Sequence, residues 1–358
     1  MDVKAVQTYL SSLKLPQYRQ KQILKHYYSG AYLSFSEMTD LPKDLRFDLE
    51  KNFSLLSLSQ SKLVTDTNTQ KELLTLKDNL AIESVLMNYD DWLTVCVSSQ
   101  VGCPLNCAFC ATGKMGFKRN LTSEEIIDQI LYWNYKLLSL RGASSDEAIS
   151  KRSPRPSGSR DDARYVGRIV FMGMGEPFLN WDNLLFALKS IKEDLNIGSR
   201  KISISTAGII PKIYEFADLN TEINLAISLH APDQETRQKI MPIALEYQFD
   251  DLIKSLNYYT AHTRRQLFLE YALIDGINDN TVHLNKLVTL LKNNRLFYLN
   301  LIPLNPVKGG LNPSPNLNFF LDALSKNHLN FSLRRSLGQS SNSACGQLIT
   351  NNQSPITK

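Results

Sequence analysis

Six short apolar runs recur after residue 92: 93–98, 168–172, 201–205, 224–229, 267–273 and 298–302. Each is rich in β-branched or aromatic residues, as strands are. Helix-period segments separate most of them. The clearest opens at Thr122, with Glu125 three residues on, ahead of Ile126, Ile127, Ile130 and Leu131. That is a capping-box pattern followed by an apolar stripe. Alternating strands and helices predict a parallel sheet with right-handed crossovers. Six units predict an α/β fold closing into a partial, six-stranded parallel β/α barrel rather than a full eight. The 358 residues, 43% of them hydrophobic, suit one such barrel plus a small appendage.

In a parallel barrel the site lies at the carboxyl ends of the strands. The unusual residues fall there. Cys103-Pro-Leu-Asn-Cys107-Ala-Phe-Cys110 follows the first strand and Gly173-Met-Gly-Glu-Pro177 the second. Ser205-Thr-Ala-Gly208 closes the third, Ser228-Leu-His230 the fourth, and Leu304-Asn-Pro306 follows the sixth. The C-x3-C-x2-C spacing puts three thiols where they can converge on one centre. A cubane iron–sulfur cluster normally takes four cysteines. Here three are offered and no fourth follows nearby, so one iron stays open to a non-protein ligand. A zinc site or a disulfide is the alternative, but structural zinc wants a second Cys or His pair downstream, and none is present.

The remaining segments are less specific. Residues 1–58 read as helices, with stripes at Tyr9, Leu10, Leu13 and Leu15, at Ile23, Leu24, Tyr27 and Tyr28, and at Leu45, Phe47 and Leu49. Arg19, Lys21, Lys25, Lys43 and Arg46 among them are either a solvated face or an RNA-contacting one. Residues 59–91 read as a linking β-hairpin extension with a turn at Lys77-Asp-Asn79. On its strand Glu83 shares a face with Ala81 and Val85, as a mobile edge residue or as a desolvated base. The barrel is expected over 92–350, with a Gly/Ser/Pro/Arg-rich insertion at 142–167 that is a tolerated loop or a basic RNA-binding one, and a flexible tail at 351–358. Five cysteines, three in one loop, argue against a secreted disulfide framework. With no signal-peptide core and no apolar run long enough to cross a bilayer, the expected compartment is the cytoplasm. A net charge of +5 weakly favours a nucleic-acid partner.

The cysteine spacing, with Phe109 before the last thiol, resembles the radical S-adenosylmethionine (SAM) superfamily. The wider run from Cys96-Val-Ser-Ser-Gln-Val-Gly-Cys103 to Gly116-Phe-Lys-Arg-Asn120 is similar to its RlmN branch, RNA adenine-C2 methyltransferases, whose siblings are the Cfr enzymes acting on carbon 8. Val101 and Pro177 look more RlmN-like. The resemblance covers about residues 15–350. It implies a [4Fe–4S] cluster on Cys103, Cys107 and Cys110, and two SAM per turnover. SAM would be bound by Gly175, Glu176, Ser205, Ser228, the backbone at Leu229, His230 and Asn305. Cys345 would carry the methyl group, Cys96 would be its transient disulfide partner, and Glu83 the proton acceptor. Expected partners are 23S rRNA, with transfer RNA as a second substrate, and an electron donor such as flavodoxin; the chain would be a monomer. The sequence departs from the pattern at 243–246 and at 337–342, which bear on RNA docking and on how Cys345 is held. A rival of another class is a non-catalytic RNA-binding metalloprotein, which leaves Cys96, Cys345 and Glu83 without a role.

Overall fold

The computed structural model describes residues 1–89, 91–139, 165–305, 310–334, 338 and 343–348. Three helices open the chain: α1 (Val3–Ser12), α2 (Gln17–Ser29) and α3 (Lys43–Asn52). Three antiparallel strands follow, β1 (Leu58–Thr65), β2 (Thr69–Leu76) and β3 (Ala81–Tyr89). Asn79 takes φ 64° in the β2–β3 turn, as the sequence signal implied. The segment is therefore a three-stranded meander rather than a hairpin, and β3 pairs antiparallel with β4 (Trp92–Cys96).

From β4 onward the sheet is parallel. Its strands are β7 (Val166–Phe171), β8 (Ile202–Thr206), β9 (Asn224–Ser228), β10 (Leu267–Leu273), β11 (Phe297–Pro303) and β12 (Phe331–Leu333). A separate two-stranded ribbon pairs β5 (Gln100–Gly102) with β6 (Phe117–Asn120). The expected six parallel strands are all present, and β12 adds a short seventh that its mixed, half-exposed residues hid from an apolar-run search. The sheet runs from β1 to β12 without the two edges pairing, so the barrel is incomplete. The expected insertion lies outside the described residues except at its end, where Val166 and Gly167 already belong to β7.

Helices α4 (Ala111–Lys114), α5 (Ser123–Ser139), α6 (Trp181–Glu193), α7 (Ile210–Asp218), α8 (Gln234–Ile240), α9 (Phe249–Thr263), α10 (Thr281–Asn293) and α11 (Leu317–Lys326) occupy the connections. The box at the start of α5 forms both ways. Thr122 N donates to Glu125 Oε2 at 2.9 Å, and Glu125 N donates to Thr122 Oγ1 at 3.2 Å. Among the described residues no helix is long and apolar enough to cross a membrane.

The apolar core continues from the first three helices into the barrel. Val6, Ile23 and Tyr27 share one buried cluster with Ile130, Leu131 and Val95. Leu13 and Phe47, placed on apolar stripes by periodicity, are instead exposed at 42% and 74%, because each helix buries only its narrower Val6/Leu10 or Leu45/Leu49 edge. The junction is pinned by Asp128 of α5, which is wholly buried. Its carboxylate accepts from Tyr27 Oη at 2.6 Å, from Ser57 N at 2.7 Å and Oγ at 2.6 Å, and from the Met1 ammonium at 2.9 Å. Removing one partner of a buried ion pair strands the others, at about 3–5 kcal/mol. Asp128→Ala is therefore expected to lower stability by about that amount. Urea unfolding measures it, and a loss under about 1 kcal/mol would contradict this account of the junction.

Candidate active site

The carboxyl ends of the parallel strands surround an open cavity. Cys103, Cys107 and Cys110 line one side, and Gly175, Glu176, Ser205, Ser228, His230 and Asn305 line the rest. Cys345 reaches the same wall. The structure thus gathers most of the residues that the sequence pointed to. Two fall elsewhere. The Leu229 side chain is fully buried in the core, its N–H donates to Glu270 O and its carbonyl accepts from Ala231 N at 2.7 Å, so both of its backbone groups are already engaged. Glu83 lines no described cavity and is buried against Lys71, with Oε1 3.0 Å from Nζ. It is neither a mobile edge residue nor an unpaired base: β2 and β4 flank its strand and supply a cation.

The loop holding the thiols is fixed by close backbone contacts. Ser99 N and Gln100 N both donate to Met174 O, and Gln100 Oε1 accepts from Glu176 N at 2.8 Å. Gly175 has φ +101°, and a Cβ there would lie 2.5 Å from Gln100 Cβ. Its glycine is thus required by Gln100 and by backbone conformation. A Cβ at Gly102 would meet Gly116 O at 1.8 Å, so β5 and β6 can close only over a glycine.

Burial pushes the Cys103 thiol up to about 12 and Cys107 well above the ordinary thiol value, with the neighbouring thiols adding to the latter. Metal binding to such a set must displace protons. The three thiols line one side of an open cavity, and no fourth cysteine stands beside them in the loop, which fits a centre with one open position better than a closed zinc tetrahedron.

Across the cavity, burial raises Glu176, and hydrogen bonds from Thr206, Ala207 N and Phe178 N work against that rise. Ala207 N donates to Oε2 at 2.7 Å and Phe178 N to Oε1 at 3.0 Å. The His230 ring sits edge-on to Phe109, with centroids 4.5 Å apart. Its Nδ1 accepts from Ala272 N at 3.0 Å, which leaves the proton of the neutral ring on Nε2.

Cys345 is delivered by a short C-terminal turn. Gly346 O accepts from Ala111 N at 2.7 Å, Leu348 O accepts from Thr112 Oγ1 at 2.7 Å, and Asn305 Nδ2 donates to Cys345 O at 3.1 Å. Asn305 therefore holds the segment that carries the thiol. Residues 337 and 339–342, where the sequence departs from the family pattern, lie outside the described residues. Cys345 also lines a smaller adjoining cavity together with Cys96. All five cysteines are free thiols. Burial pushes Cys96 up to about 12, with Cys345 adding to the rise and Arg334 opposing it.

Sequence reasoning missed three residues here, the half-buried Arg334 and the buried Glu270 and Arg237. Arg334 Nη1 lies 3.2 Å from Glu270 Oε2, and its Nη2 donates to Met172 Sδ at 3.0 Å. Glu270 was detectable as a lone carboxylate inside the apolar run 267–273. Arg237 of α8 gave no signal, because its charged neighbours read as a solvated face; it is fully buried.

Comparison with known proteins agrees with this arrangement. Residues 160–287 match the radical SAM superfamily, and residues 1–55 match the ribosomal RNA large subunit methyltransferase N-terminal domain. A probable dual-specificity RNA methyltransferase RlmN of Dictyoglomus turgidum is 39% identical over 352 residues, 97% of this chain and 94% of that protein. The corresponding protein of Bacillus licheniformis is 38% identical, over 97% of this chain and 91% of its own length. The chain belongs to the RlmN family of radical SAM RNA methyltransferases. The crystal structure of a radical SAM methyltransferase from Sphaerobacter thermophilus superposes with a TM-score of 0.84 at 35% identity, covering 97% of each chain. The superfamily match begins beyond the cysteine loop, so the loop's role rests on its own spacing and placement.

The His230 environment has a measurable consequence. Burial, with Arg237 nearby, lowers its pKa from 6.5 to about 3. Below 6.5 the unfolded chain takes a proton that the folded ring refuses, so this contribution is intact above 6.5 and is lost as pH falls toward 3. His230→Asn is expected to flatten the fall in stability between those values, by up to about 1.4 kcal/mol per pH unit. Parallel urea titrations of the two proteins check this, and identical pH slopes would exclude it.

Proposed function

We propose that this enzyme methylates carbon 2 of an adenine in 23S rRNA, and the equivalent base in transfer RNA, through a methylated Cys345. The observation that carries the reading is the position of Cys345 on the wall shared by the cysteine loop and the SAM-binding candidates, with Cys96 on the adjoining cavity. Cys103, Cys107 and Cys110 would hold a [4Fe–4S] cluster; Glu176, Ser205, Ser228, His230 and Asn305 would surround SAM. When bound, the cluster and two SAM per turnover supply the methyl group and a hydrogen-abstracting radical.

The protein's own part follows from the two thiols. Cys345 takes the methyl, which must lose one hydrogen to the radical that bound SAM would supply before its carbon can bond to the base, joining Cys345 to the RNA by a methylene thioether. Release requires the carbon–sulfur bond to break: Cys96 closes a disulfide with Cys345, and the electron pair of the broken bond stays on the methylene carbon, which takes up a proton to become the methyl of the product. For Glu83 to take the ring proton, its pair with Lys71 must open toward the bound RNA. The target adenine must leave its stack to enter the cavity. Exposed Tyr18, with the Arg19 guanidinium 4.9 Å from its ring centroid, and exposed Phe47 are surfaces on which the first three helices could stack RNA bases. A flavodoxin-like donor, a monomeric state and a cytoplasmic location complete the reading. Carbon 8 is the alternative target, favoured by no observation at the site.

Anaerobic reconstitution is expected to give four irons per chain, and Cys103→Ala, Cys107→Ala and Cys110→Ala each to lose the cluster. With labelled RNA, Cys345→Ala should give neither methylated protein nor adduct. Cys96→Ala should still be methylated on Cys345 and should accumulate protein–RNA crosslink on a denaturing gel. Normal turnover by Cys96→Ala without crosslink would sink the two-thiol mechanism, and mass mapping of the product base separates carbon 2 from carbon 8.

A further inference from the structure

Arg237 is the anomaly behind the cavity wall. Its side chain is wholly buried, and no carboxylate hydrogen-bonds it. Nη2 donates to Ala207 O at 2.5 Å and to Ser228 O at 3.3 Å, both residues of the cavity lining. Nε and Nη1 have no hydrogen-bond partner among the described residues. The nearby acids are taken by other cations: Asp233 by Lys286 at 2.9 Å and Glu235 by Lys239 at 2.8 Å. Burying a guanidinium without an anion costs several kcal/mol. A fold keeps such a charge where something absent from the bare chain answers it.

The surroundings identify the kind of anion. The last turn of α8 is fastened to the cysteine loop, since Ile240 O accepts from Ala108 N at 2.9 Å. Met241, next in the chain, packs with Leu105 and Cys107 in one buried cluster. A cluster on three thiolates is net negative and becomes more so when it takes up an electron. We propose that Arg237 is the built-in counter-charge of the cluster on Cys103, Cys107 and Cys110, stabilising its reduced state and thereby raising its reduction potential. This rests on the cluster reading above. A fixed positive charge in a water-poor wall favours the more negative oxidation state, and its removal makes reduction harder.

The experiment compares wild type, Arg237→Met and Arg237→Lys. Iron and sulfide analysis of the wild type comes first; a protein that takes up no cluster defeats the cluster reading and this inference with it. Potentiometric titration followed by electron paramagnetic resonance is then run with and without SAM. Without SAM, Arg237→Met is expected to shift the reduction equilibrium at least tenfold toward the oxidised form, about 59 mV for one electron, while Arg237→Lys stays near wild type. Equal potentials in wild type and Arg237→Met overturn the proposal. So does a change seen only with SAM, which would make Arg237 a partner of SAM's carboxylate instead. Thermal melting of the cluster-free proteins gives a second test, valid even if Arg237→Met binds no iron. An unanswered buried cation should make apo wild type no more stable than apo Arg237→Met. A marked drop in the variant's melting temperature would make Arg237 a clamp on the Ala207 and Ser228 carbonyls, and the proposal would fail.

Discussion

The site depends on how tightly the segment after β4 lies against the segment after β7. Ser99 N and Gln100 N share the Met174 carbonyl, Gly173 N donates to Val97 O at 3.1 Å, and Met174 N donates to Ser98 Oγ at 2.9 Å. A Cβ on Gly173 would lie 2.6 Å from Val97 O, and one on Gly175 2.5 Å from Gln100 Cβ. The two chains therefore run nearly backbone to backbone past the end of the sheet. That contact fixes where β5 leaves the sheet, and β5 leads directly into Cys103. Glu176 is bound into the same zipper through Gln100. The thiols and the carboxylate opposite them are thus positioned by one continuous set of hydrogen bonds, which strand pairing alone would not supply.

Cys345 is held in another way. Its segment belongs to no strand or helix and is tied to α4 and Asn305 by a handful of hydrogen bonds. A thiol that must meet two different partners in turn benefits from such an anchorage, because short turns open more readily than sheet. The placement on two adjoining cavities fits that demand: one side faces the cysteine loop, the other Cys96. Cys96 is rigid by contrast, a buried strand residue whose carbonyl accepts from Ser84 Oγ. Arg334 opposes the rise that burial imposes on the Cys96 thiol, and thiolate is the form that attacks a disulfide or a carbon.

Much of this was legible because the local signals agree with the global fold. The six apolar runs became six parallel strands within one or two residues at each end, and the capping box and the Asn79 turn formed as their chemistry requires. The C-x3-C-x2-C loop and the polar strand ends named most of the cavity wall. Contacts that cross the sheet were not legible. Nothing local distinguishes Glu83 as an ion-paired residue, because Lys71 lies on the neighbouring strand, with Glu83 opposite Leu73 and Lys71 opposite Val85. Arg237 sits in the run Asp233-Gln-Glu-Thr-Arg-Gln-Lys239, whose composition describes a surface helix, and only the packing of α8 under the cysteine loop reverses that.

The buried carboxylates near the site show how differently the fold treats one chemical group. Glu270 is answered by Arg334 and by Asn300 Nδ2 at 2.9 Å. Glu83 is answered by Lys71, a full ion pair sealed between strands. Glu176 has no cation and relies on two backbone N–H groups and Thr206, so burial still raises its pKa. A carboxylate with hydrogen bonds but no counter-charge is the one that gains most from a cationic ligand, since the ligand completes the pair that the protein withholds. Arg237 is the mirror case, a cation that lacks its anion just behind that wall. Neither is paired with the other, although both bond to Ala207, the one through its N–H and the other through its carbonyl. A site that keeps an anion and a cation apart across one residue, each lacking a partner of opposite charge among the described residues, is suited to a ligand set that carries both signs.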